Sequence, residues 1–238
     1  VASACASASG GLSPTAEGTA PRGLRPRRLG RVEYASAWEA MRRFTAERGP
    51  ATLDEVWLLE HPPVYTLGRA GREEHVRDPG AIPVVRSDRG GQVTYHGPGQ
   101  LVAYVLVDLG RRRLGVRRFV ELLEEAVLDT LAAGGVAGDR RAGAPGVYVQ
   151  GRKVASLGLR VRQGRTYHGL ALNVDLDLEP FVRIDPCGYR GLAVTRLRDL
   201  GVPWGVEEAG ERLLAALGRR LGDASGAPCA TIPGPDPG

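Results

Sequence analysis

The chain has 238 residues, 42% of them hydrophobic and 25% charged, and a formal net charge of +5 at pH 7. This balance is typical of a globular domain with a sizeable core, and no segment reaches the roughly 18 apolar residues of a membrane-spanning helix. Three cysteines, Cys5, Cys187 and Cys229, show neither a disulfide-framework pattern nor metal-ligand spacing. We therefore expect no metal site and a cytoplasmic location without membrane attachment.

The two ends of the chain differ in composition from its middle. Residues 1–27 and 223–238 are rich in Ala, Ser, Gly and Pro. We predict a disordered N-terminal extension and a flexible C-terminal tail around a domain at 28–222. Arginines cluster at 22–31 and 111–118, where they either contact nucleic acid or an acidic protein, or form a solvated tail and loop. Since no nucleic-acid-binding motif accompanies them, we expect no nucleic-acid partner.

The first predicted element is a helix, followed by strands. Trp38, Met41 and Phe44 recur at helical spacing, and the pattern stops at Gly49 and Pro50, which end helices. The segments that follow are short, rich in Val, Leu and Tyr, and separated by Gly, Pro or Asp. They predict strands at 55–60, 82–87 and 100–109.

The second half of the domain contains two further predicted helices, at 116–135 and 206–222, each with an apolar face and a glycine at its end. Between them, GVYVQ at 146–150 and KVASLGLRV at 153–161 are close enough to form a hairpin, and a further strand follows at 166–176. Strands outnumber helices and often follow one another directly. This predicts an α+β fold, a mixed sheet with packed helices rather than a doubly wound parallel sheet.

A glycine-rich segment precedes the strand at 100–109 and carries the first candidate site. Its glycines let backbone amides approach a ligand closely, and its polar side chains stand just before a long apolar strand. The polar side chains are Arg89, Thr94, Tyr95, His96 and Gln100. The alternative is a tight turn with a structural histidine, and the segment is neither a phosphate loop nor a dinucleotide fingerprint.

Cys187 is the second candidate, because it lies in a turn between Pro186 and Gly188. Such a turn can present a thiol beside backbone N–H groups that face an incoming carbonyl, whereas the alternative is an inert buried cysteine. A nucleophilic cysteine reacts as the thiolate and needs a nearby cation or base. Lys153, His96 and His168 are candidates, and sequence spacing does not choose among them.

Lys153 is the only lysine in a chain with 32 cationic Lys and Arg residues. A coding bias toward arginine would leave one stray lysine anywhere. An ammonium, however, can release its proton when desolvated, whereas a guanidinium in practice does not. The chemical interpretation is that this position must transfer a proton.

Four blocks resemble, in order, the lipoyl(octanoyl) transferases, which move an octanoyl group from acyl carrier protein to a lysine of a lipoate-dependent enzyme domain. The blocks are RGGQVTYHGPGQL at 89–101, GRKVASLGLR at 151–160, HGLALNV at 168–174, and PCG at 186–188 followed by VTRL at 194–197. With EHPPVYTLGR at 60–69, the similarity extends from Gly30 to Leu221. The resemblance implies the biotin/lipoate protein ligase-like fold, a mixed, largely antiparallel sheet with helices on one side.

The resemblance also implies roles for individual residues. Cys187 would form an acyl thioester, and Lys153 would lower its pKa and handle protons. The residues that would line the acyl pocket are Arg89, Gly90, Gly91, Gln92, Val93, Thr94, Tyr95, His96, Ser156, Leu157, Gly158, Gly169, Leu170 and Ala171. No nucleotide, metal or other cofactor is needed, because a thioester already carries the activation.

The implied partners are octanoyl-acyl carrier protein as donor, and as acceptors the lipoyl domains of 2-oxoacid dehydrogenases and the glycine cleavage H protein. We expect a monomer. The rival functions are an ATP-dependent lipoate or biotin protein ligase, an octanoyl amidotransferase between lipoyl domains, and a non-catalytic module that binds an acyl carrier or nucleic acid. A ligase would not need Cys187, and the chain contains no ligase-type phosphate loop.

Overall fold

Residues 23–222, the part of the chain that the computed structural model describes, form two β-sheets and four α-helices. The strands are β1 (Leu24–Arg31), β2 (Asp54–Glu60), β3 (Val64–Leu67), β4 (Val84–Arg86), β5 (Val93–His96), β6 (Gln100–Leu106), β7 (Asp139–Arg140), β8 (Gly146–Val149), β9 (Arg152–Arg162) and β10 (Arg165–Asn173). The helices are α1 (Tyr34–Glu47), α2 (Leu109–Arg112), α3 (Val116–Ala133) and α4 (Val206–Leu221). Of the predicted tails at 1–27 and 223–238, residues 1–22 and all of 223–238 lie outside the described residues.

The larger sheet has seven strands in the order β1-β2-β6-β10-β9-β8-β7. Its β1 and β2 are parallel, and every other neighbouring pair is antiparallel. A three-stranded sheet, β4-β3-β5, lies beside it. The predicted mixed, largely antiparallel sheet is therefore confirmed, as are the three long helices and the hairpin of β8 and β9.

The helices cover both faces of the larger sheet. One face, which contains Val56 and Leu58, packs on α3 and α4. The opposite face, which contains Trp57 and Leu59, packs on α1, where Met41 is fully buried. The expectation of helices on one side of the sheet is wrong. Strands β2 and β6 carry apolar side chains on both faces of the sheet, and each face must be shielded from water by a helix.

Residues 24–27, predicted to belong to a disordered extension, are instead the start of β1. The strand runs parallel to β2, and the Arg27 guanidinium stacks over the Trp57 ring at 4.8 Å and reaches the Glu55 carboxylate at 3.4 Å. Backbone pairing with β2 and the packing of arginine side chains keep this strand in the sheet, although its sequence has no run of alternating apolar residues. Composition alone therefore placed the domain boundary too late.

A buried carboxylate joins the end of α1, the start of β2 and the short helix α2. Asp54 is fully buried and lies 2.5 Å from Arg48, 2.6 Å from Arg111 and 2.6 Å from Arg112. Burial tends to raise the pKa of Asp54, but hydrogen bonds from the Asp108 backbone N–H and from the arginines outweigh it, so the pKa is lowered. Within the second arginine cluster, Arg111 and Arg112 are thus structural rather than solvated or free for docking.

We expect Asp54→Asn to reduce the free energy of unfolding by about 3–5 kcal/mol, because three guanidinium groups would lose their shared carboxylate. Urea unfolding followed by circular dichroism measures the change. Glu208→Gln is the control, since it breaks an exposed pair with Arg212 at 2.8 Å and should cost less than about 1 kcal/mol. Equal losses in the two variants would contradict a special role for Asp54.

Candidate active site

Cys187 lies in a tight turn whose backbone conformation is unusual for a residue with a side chain. Its φ is 58° and its ψ is 17°, in the left-handed region, and Gly188 follows with φ 77°. A non-glycine residue in this region persists where its surroundings hold it. Here the Gly188 N–H donates to the Asp185 carbonyl at 2.9 Å, and the Asp185 N–H donates to the His75 carbonyl at 2.8 Å. The hydrogen bonds of the turn thus fix the backbone conformation of the segment that carries the thiol.

The side chain of Lys153, which lies in β9, extends to this turn. Its side chain is almost completely buried, and Nζ lies 3.0 Å from Cys187 Sγ and donates to the Pro145 carbonyl at 2.9 Å. No carboxylate of the described residues pairs with this ammonium. The Lys153 N–H donates to the Ala193 carbonyl at 2.8 Å, and the Thr195 N–H donates to the Lys153 carbonyl at 2.9 Å. The segment that follows Cys187 is therefore tied to the strand that supplies the ammonium.

The two candidate histidines do not provide a cation for the thiol. The His96 Nδ1 lies 2.7 Å from Gln100 Oε1, and the His168 Nε2 lies 2.8 Å from Asp88 Oδ1. Burial lowers the pKa of both imidazoles, so both are neutral at pH 7. Of the three partners that the sequence leaves open, the structure places Lys153 beside the thiol.

A cavity of about 390 Å³ opens next to Cys187 and Lys153. Its size and its mostly apolar lining are typical of small-ligand sites. The sequence-predicted residues that line it are Arg89, Gly90, Gly91, Gln92, Val93, Thr94, His96, Ser156, Leu157, Gly158, Gly169, Leu170 and Ala171. Three separate segments, predicted as one pocket, thus meet around the thiol.

Tyr95 is the exception among the predicted lining residues. Its ring packs away from the cavity, with ring centroids 5.6 Å from Tyr65 and 5.6 Å from Phe181. Successive side chains of a strand point to opposite sides, so Thr94 and His96 face the cavity and Tyr95 faces the core under the smaller sheet. The pocket assignment of Tyr95 is wrong for this reason.

Other lining residues have no counterpart in the sequence predictions. They are Tyr34, Val102, Tyr104, Val116, Val120, Gly143, Ala144, Pro145, Leu159 and Tyr189, together with His168, which the sequence named only as a possible base. Val116 and Val120 are separated by one helical turn at the start of α3 and lie on the same side of the helix as the buried Leu123 and Val127. The apolar face of α3, continued into its first turn, was the available signal, whereas contacts such as Tyr34 depend on tertiary packing.

The glycine-rich loop rests directly on β9. The Gly90 N–H donates to the Leu159 carbonyl at 2.9 Å. A Cβ at Gly158 would lie 2.9 Å from the Gly90 carbonyl oxygen, so only glycine allows this approach. Gly158 also pairs with Gly169 across β9 and β10. Glycines on both sides of the contact therefore keep the loop close to the sheet at the cavity wall.

Arg89 places a buried guanidinium in the cavity wall, where no carboxylate of residues 23–222 pairs with it. Its Nε donates to Thr66 Oγ1 at 3.0 Å, its Nη1 to the Gly90 carbonyl at 2.9 Å and its Nη2 to the Gln92 carbonyl at 2.7 Å. Burial lowers the pKa of Arg89, yet a guanidinium stays charged at neutral pH. A fixed positive charge at low dielectric favours negative charge within the cavity.

The site therefore combines a thiol, a buried ammonium and an apolar cavity, which suits nucleophilic catalysis on an acyl group. Within residues 23–222, no group of three or more His, Cys, Asp or Glu side chains is arranged to hold a metal ion. Among the helices of the same range, none is long and apolar enough to cross a bilayer.

Comparisons with known proteins agree with this chemistry. Residues 33–218 match the family model described as the lipoyl protein ligase A/B catalytic domain. The chain is 63% identical over 195 residues to an octanoyltransferase of Thiobacillus denitrificans, covering 82% of this chain and 89% of that protein. It is 66% identical over 180 residues to an octanoyltransferase of Alkalilimnicola ehrlichii, covering 76% and 84%.

Solved structures show the same fold at much lower sequence identity. A crystal structure of lipoate-protein ligase A bound with ATP superposes with a TM-score of 0.72 at 16% identity, over 85% of this chain and 86% of that one. The predicted fold of this superfamily is thereby confirmed. At this identity the likeness concerns the fold and not the reaction.

The position of Lys153 depends on Gly146 of β8. A Cβ at Gly146 would lie 2.4 Å from Lys153 Cε and 2.7 Å from the Ala155 carbonyl oxygen. We expect Gly146→Ala to push the ammonium away from Cys187 and to slow alkylation of this thiol by iodoacetamide at pH 7 by about tenfold, because the thiolate is the reactive form. Peptide mass spectrometry measures the rate at Cys187 alone.

Gly164→Ala is the matched control for this variant. Gly164 has φ 74°, so alanine is strained there too, but no atom lies within 4 Å of the added Cβ. Its Cys187 should react at the wild-type rate. Equal slowing in both variants would mean that backbone strain, and not displacement of Lys153, causes the effect.

Proposed function

Because the chain belongs to the octanoyltransferases of the lipoyl protein ligase A/B catalytic-domain family, its reaction is octanoyl transfer in protein lipoylation, and we propose that this transfer runs through a thioester on Cys187. The observation that carries the proposal is the distance of 3.0 Å between Lys153 Nζ and Cys187 Sγ. A buried ammonium at this distance stabilises a thiolate, which is the nucleophilic form of cysteine.

In the first half-reaction, the Cys187 thiolate attacks the carbonyl carbon of an octanoyl thioester carried by acyl carrier protein. The carbon–sulfur bond to the carrier breaks, and the leaving pantetheine thiolate takes a proton from the Lys153 ammonium. One thioester replaces another, so the exchange is nearly isoenergetic. The products are octanoyl-Cys187, a neutral Lys153 amine and the free carrier thiol.

In the second half-reaction, the amine of the acceptor lysine attacks the carbonyl carbon of octanoyl-Cys187. Neutral Lys153 takes a proton from the attacking nitrogen as the amide bond forms, and the Cys187 thiolate leaves. The thiolate and the ammonium of the resting enzyme are thereby restored. General base assistance of this kind typically contributes about 10²–10⁴ in rate, and a guanidinium would not supply it.

The cavity beside Cys187 suits the alkyl chain of the substrate. Val116, Val120, Leu157, Leu159 and Leu170 contribute apolar side chains to its lining. Removal of alkyl groups from water stabilises binding by roughly 0.8 kcal/mol for each buried CH₂. The cavity thus supports binding of a medium-length acyl chain whose carbonyl carbon lies at the thiol.

The acceptors are lipoyl-domain proteins, as the family membership implies. We propose that the lipoyl domains of 2-oxoacid dehydrogenases and the glycine cleavage H protein are among them, and that octanoyl-acyl carrier protein is the donor. The net charge of +5 supports encounter with an acidic carrier. A catalytic domain that ends at residue 222, a monomeric state and a cytoplasmic location stay predictions of the sequence.

We expect Cys187→Ser to fold normally and to lose octanoyl transfer by more than about 10³-fold, since the thiolate that starts the reaction is absent. Intact-protein mass spectrometry after incubation with octanoyl-acyl carrier protein should show the added mass of one octanoyl group on the wild type and none on the variant. Normal turnover by Cys187→Ser would rule out the covalent route. Transfer from free octanoate that requires ATP would instead indicate a ligase.

We expect Lys153→Arg to keep a positive charge near Cys187 but to slow both half-reactions by about 10²-fold or more, because the guanidinium does not exchange protons at neutral pH. Lys153→Met removes the charge as well, so it should also slow alkylation of Cys187 by iodoacetamide. Rapid-quench mass spectrometry measures the two half-reactions separately. Near wild-type transfer by Lys153→Arg would mean that Lys153 contributes charge alone.

A further inference from the structure

We propose that the side-chain amide of Gln92 donates a hydrogen bond to the oxyanion that forms when the Cys187 thiolate attacks an acyl thioester. The inference rests on the thioester route proposed above and adds a catalytic residue to it. Acyl transfer passes through a tetrahedral intermediate whose former carbonyl oxygen is negatively charged. Donors that are already directed at this oxygen are often the largest single contribution to catalysis.

The turn that holds Cys187 does not supply these donors from its following backbone. The Gly188 N–H donates to the Asp185 carbonyl at 2.9 Å, and the Tyr189 N–H donates to the Pro186 carbonyl at 3.1 Å. The sequence-based expectation that N–H groups of this turn would face the carbonyl is therefore wrong for these two residues. A donor must come from an element packed against the turn.

Gln92 lies against the turn at that point. A Cβ built on Gly188 would lie 3.2 Å from Gln92 Cγ, 3.4 Å from Cδ and 3.6 Å from Nε2. Gln92, Cys187 and Lys153 line the same cavity. The amide nitrogen is therefore next to the residue that follows the nucleophile, on the cavity side of the glycine-rich loop.

The orientation of the Gln92 amide is set by its other hydrogen bond. The backbone N–H of Arg72 donates to Gln92 Oε1 at 3.2 Å. Because an N–H group can only donate, the atom that faces it must be the amide oxygen, and Nε2 points the other way. Among residues 23–222, Nε2 has no hydrogen-bond acceptor, so both of its N–H groups are available to a ligand.

The backbone of Gln92 is held as firmly as its side chain. Its carbonyl accepts from the Gly68 N–H at 3.2 Å and from the buried Arg89 guanidinium at 2.7 Å. A donor fixed before the reaction needs little reorganisation when charge develops on the substrate oxygen. The role of Arg89 therefore includes positioning the loop that carries Gln92.

The test compares Gln92→Met with the wild type in acyl transfer and in alkylation. Methionine keeps the length of the side chain and its contact with Gly188 but removes the donor. Single-turnover octanoylation of Cys187 by octanoyl-acyl carrier protein should slow by about 10²–10³-fold, with the KM for the carrier little changed. Alkylation of Cys187 by iodoacetamide passes through no oxyanion, so its rate and its pH profile should stay at the wild-type values.

Gln163→Met, in the exposed turn between β9 and β10, is the matched control and should transfer octanoyl groups at the wild-type rate. Octanoylation of Gln92→Met within about threefold of the wild type would overturn the proposal. A parallel loss of alkylation would also overturn it, because Gln92 would then act by holding the turn. If wild-type Cys187 forms no octanoyl adduct at all, the thioester route fails and the assignment of Gln92 fails with it.

Discussion

The ammonium of Lys153 is nearly inaccessible to solvent and meets a thiol at 3.0 Å instead of a carboxylate. Burial of a charge without a partner costs folding free energy, so the fold must provide both space for the Lys153 side chain and partners for its ammonium. Gly146 leaves space for the side chain, Pro145 accepts one hydrogen bond, and the backbone of Lys153 binds the segment that follows Cys187. Strand β8, the loop before it and the segment after Cys187 thus all contact this one side chain or its backbone.

Two groups of buried cations in this protein have different partners. Arg48, Arg111 and Arg112 surround the buried Asp54 carboxylate, where a permanent charge with several donors stabilises the junction of three elements. Lys153 instead lies 3.0 Å from the Cys187 thiol. All other Lys and Arg residues of the chain are arginines, and in the proposed reaction the single lysine is the cation that can release and take up a proton.

Periodicity predicted the three long helices and most strands of the larger sheet, because those elements bury a regular apolar face. It missed β1, whose sequence LRPRRLGR has no apolar alternation, and it missed the short strands β3, β5 and β7. The residues predicted to line an acyl pocket all lie around one cavity except Tyr95, whose side chain points to the other side because strand side chains alternate. Helices on both faces were not foreseen, since the apolar residues of β2 do not reveal which helix covers which side.

The sequence by itself determined the reactive groups. A cysteine between proline and glycine, a solitary lysine and a glycine-rich loop, found within sequence blocks that follow the order of a known family, were enough to identify acyl transfer and to single out candidate residues for it. Only the tertiary structure decided that Lys153, and not His96 or His168, meets Cys187, and that Gln92 lies against the same turn. The physical reason is that Lys153 and Cys187 are 34 residues apart, so their contact depends on strand register and on a left-handed turn, which the local sequence does not reveal. The two histidines bond to Gln100 and Asp88 instead, and these contacts also depend on tertiary packing.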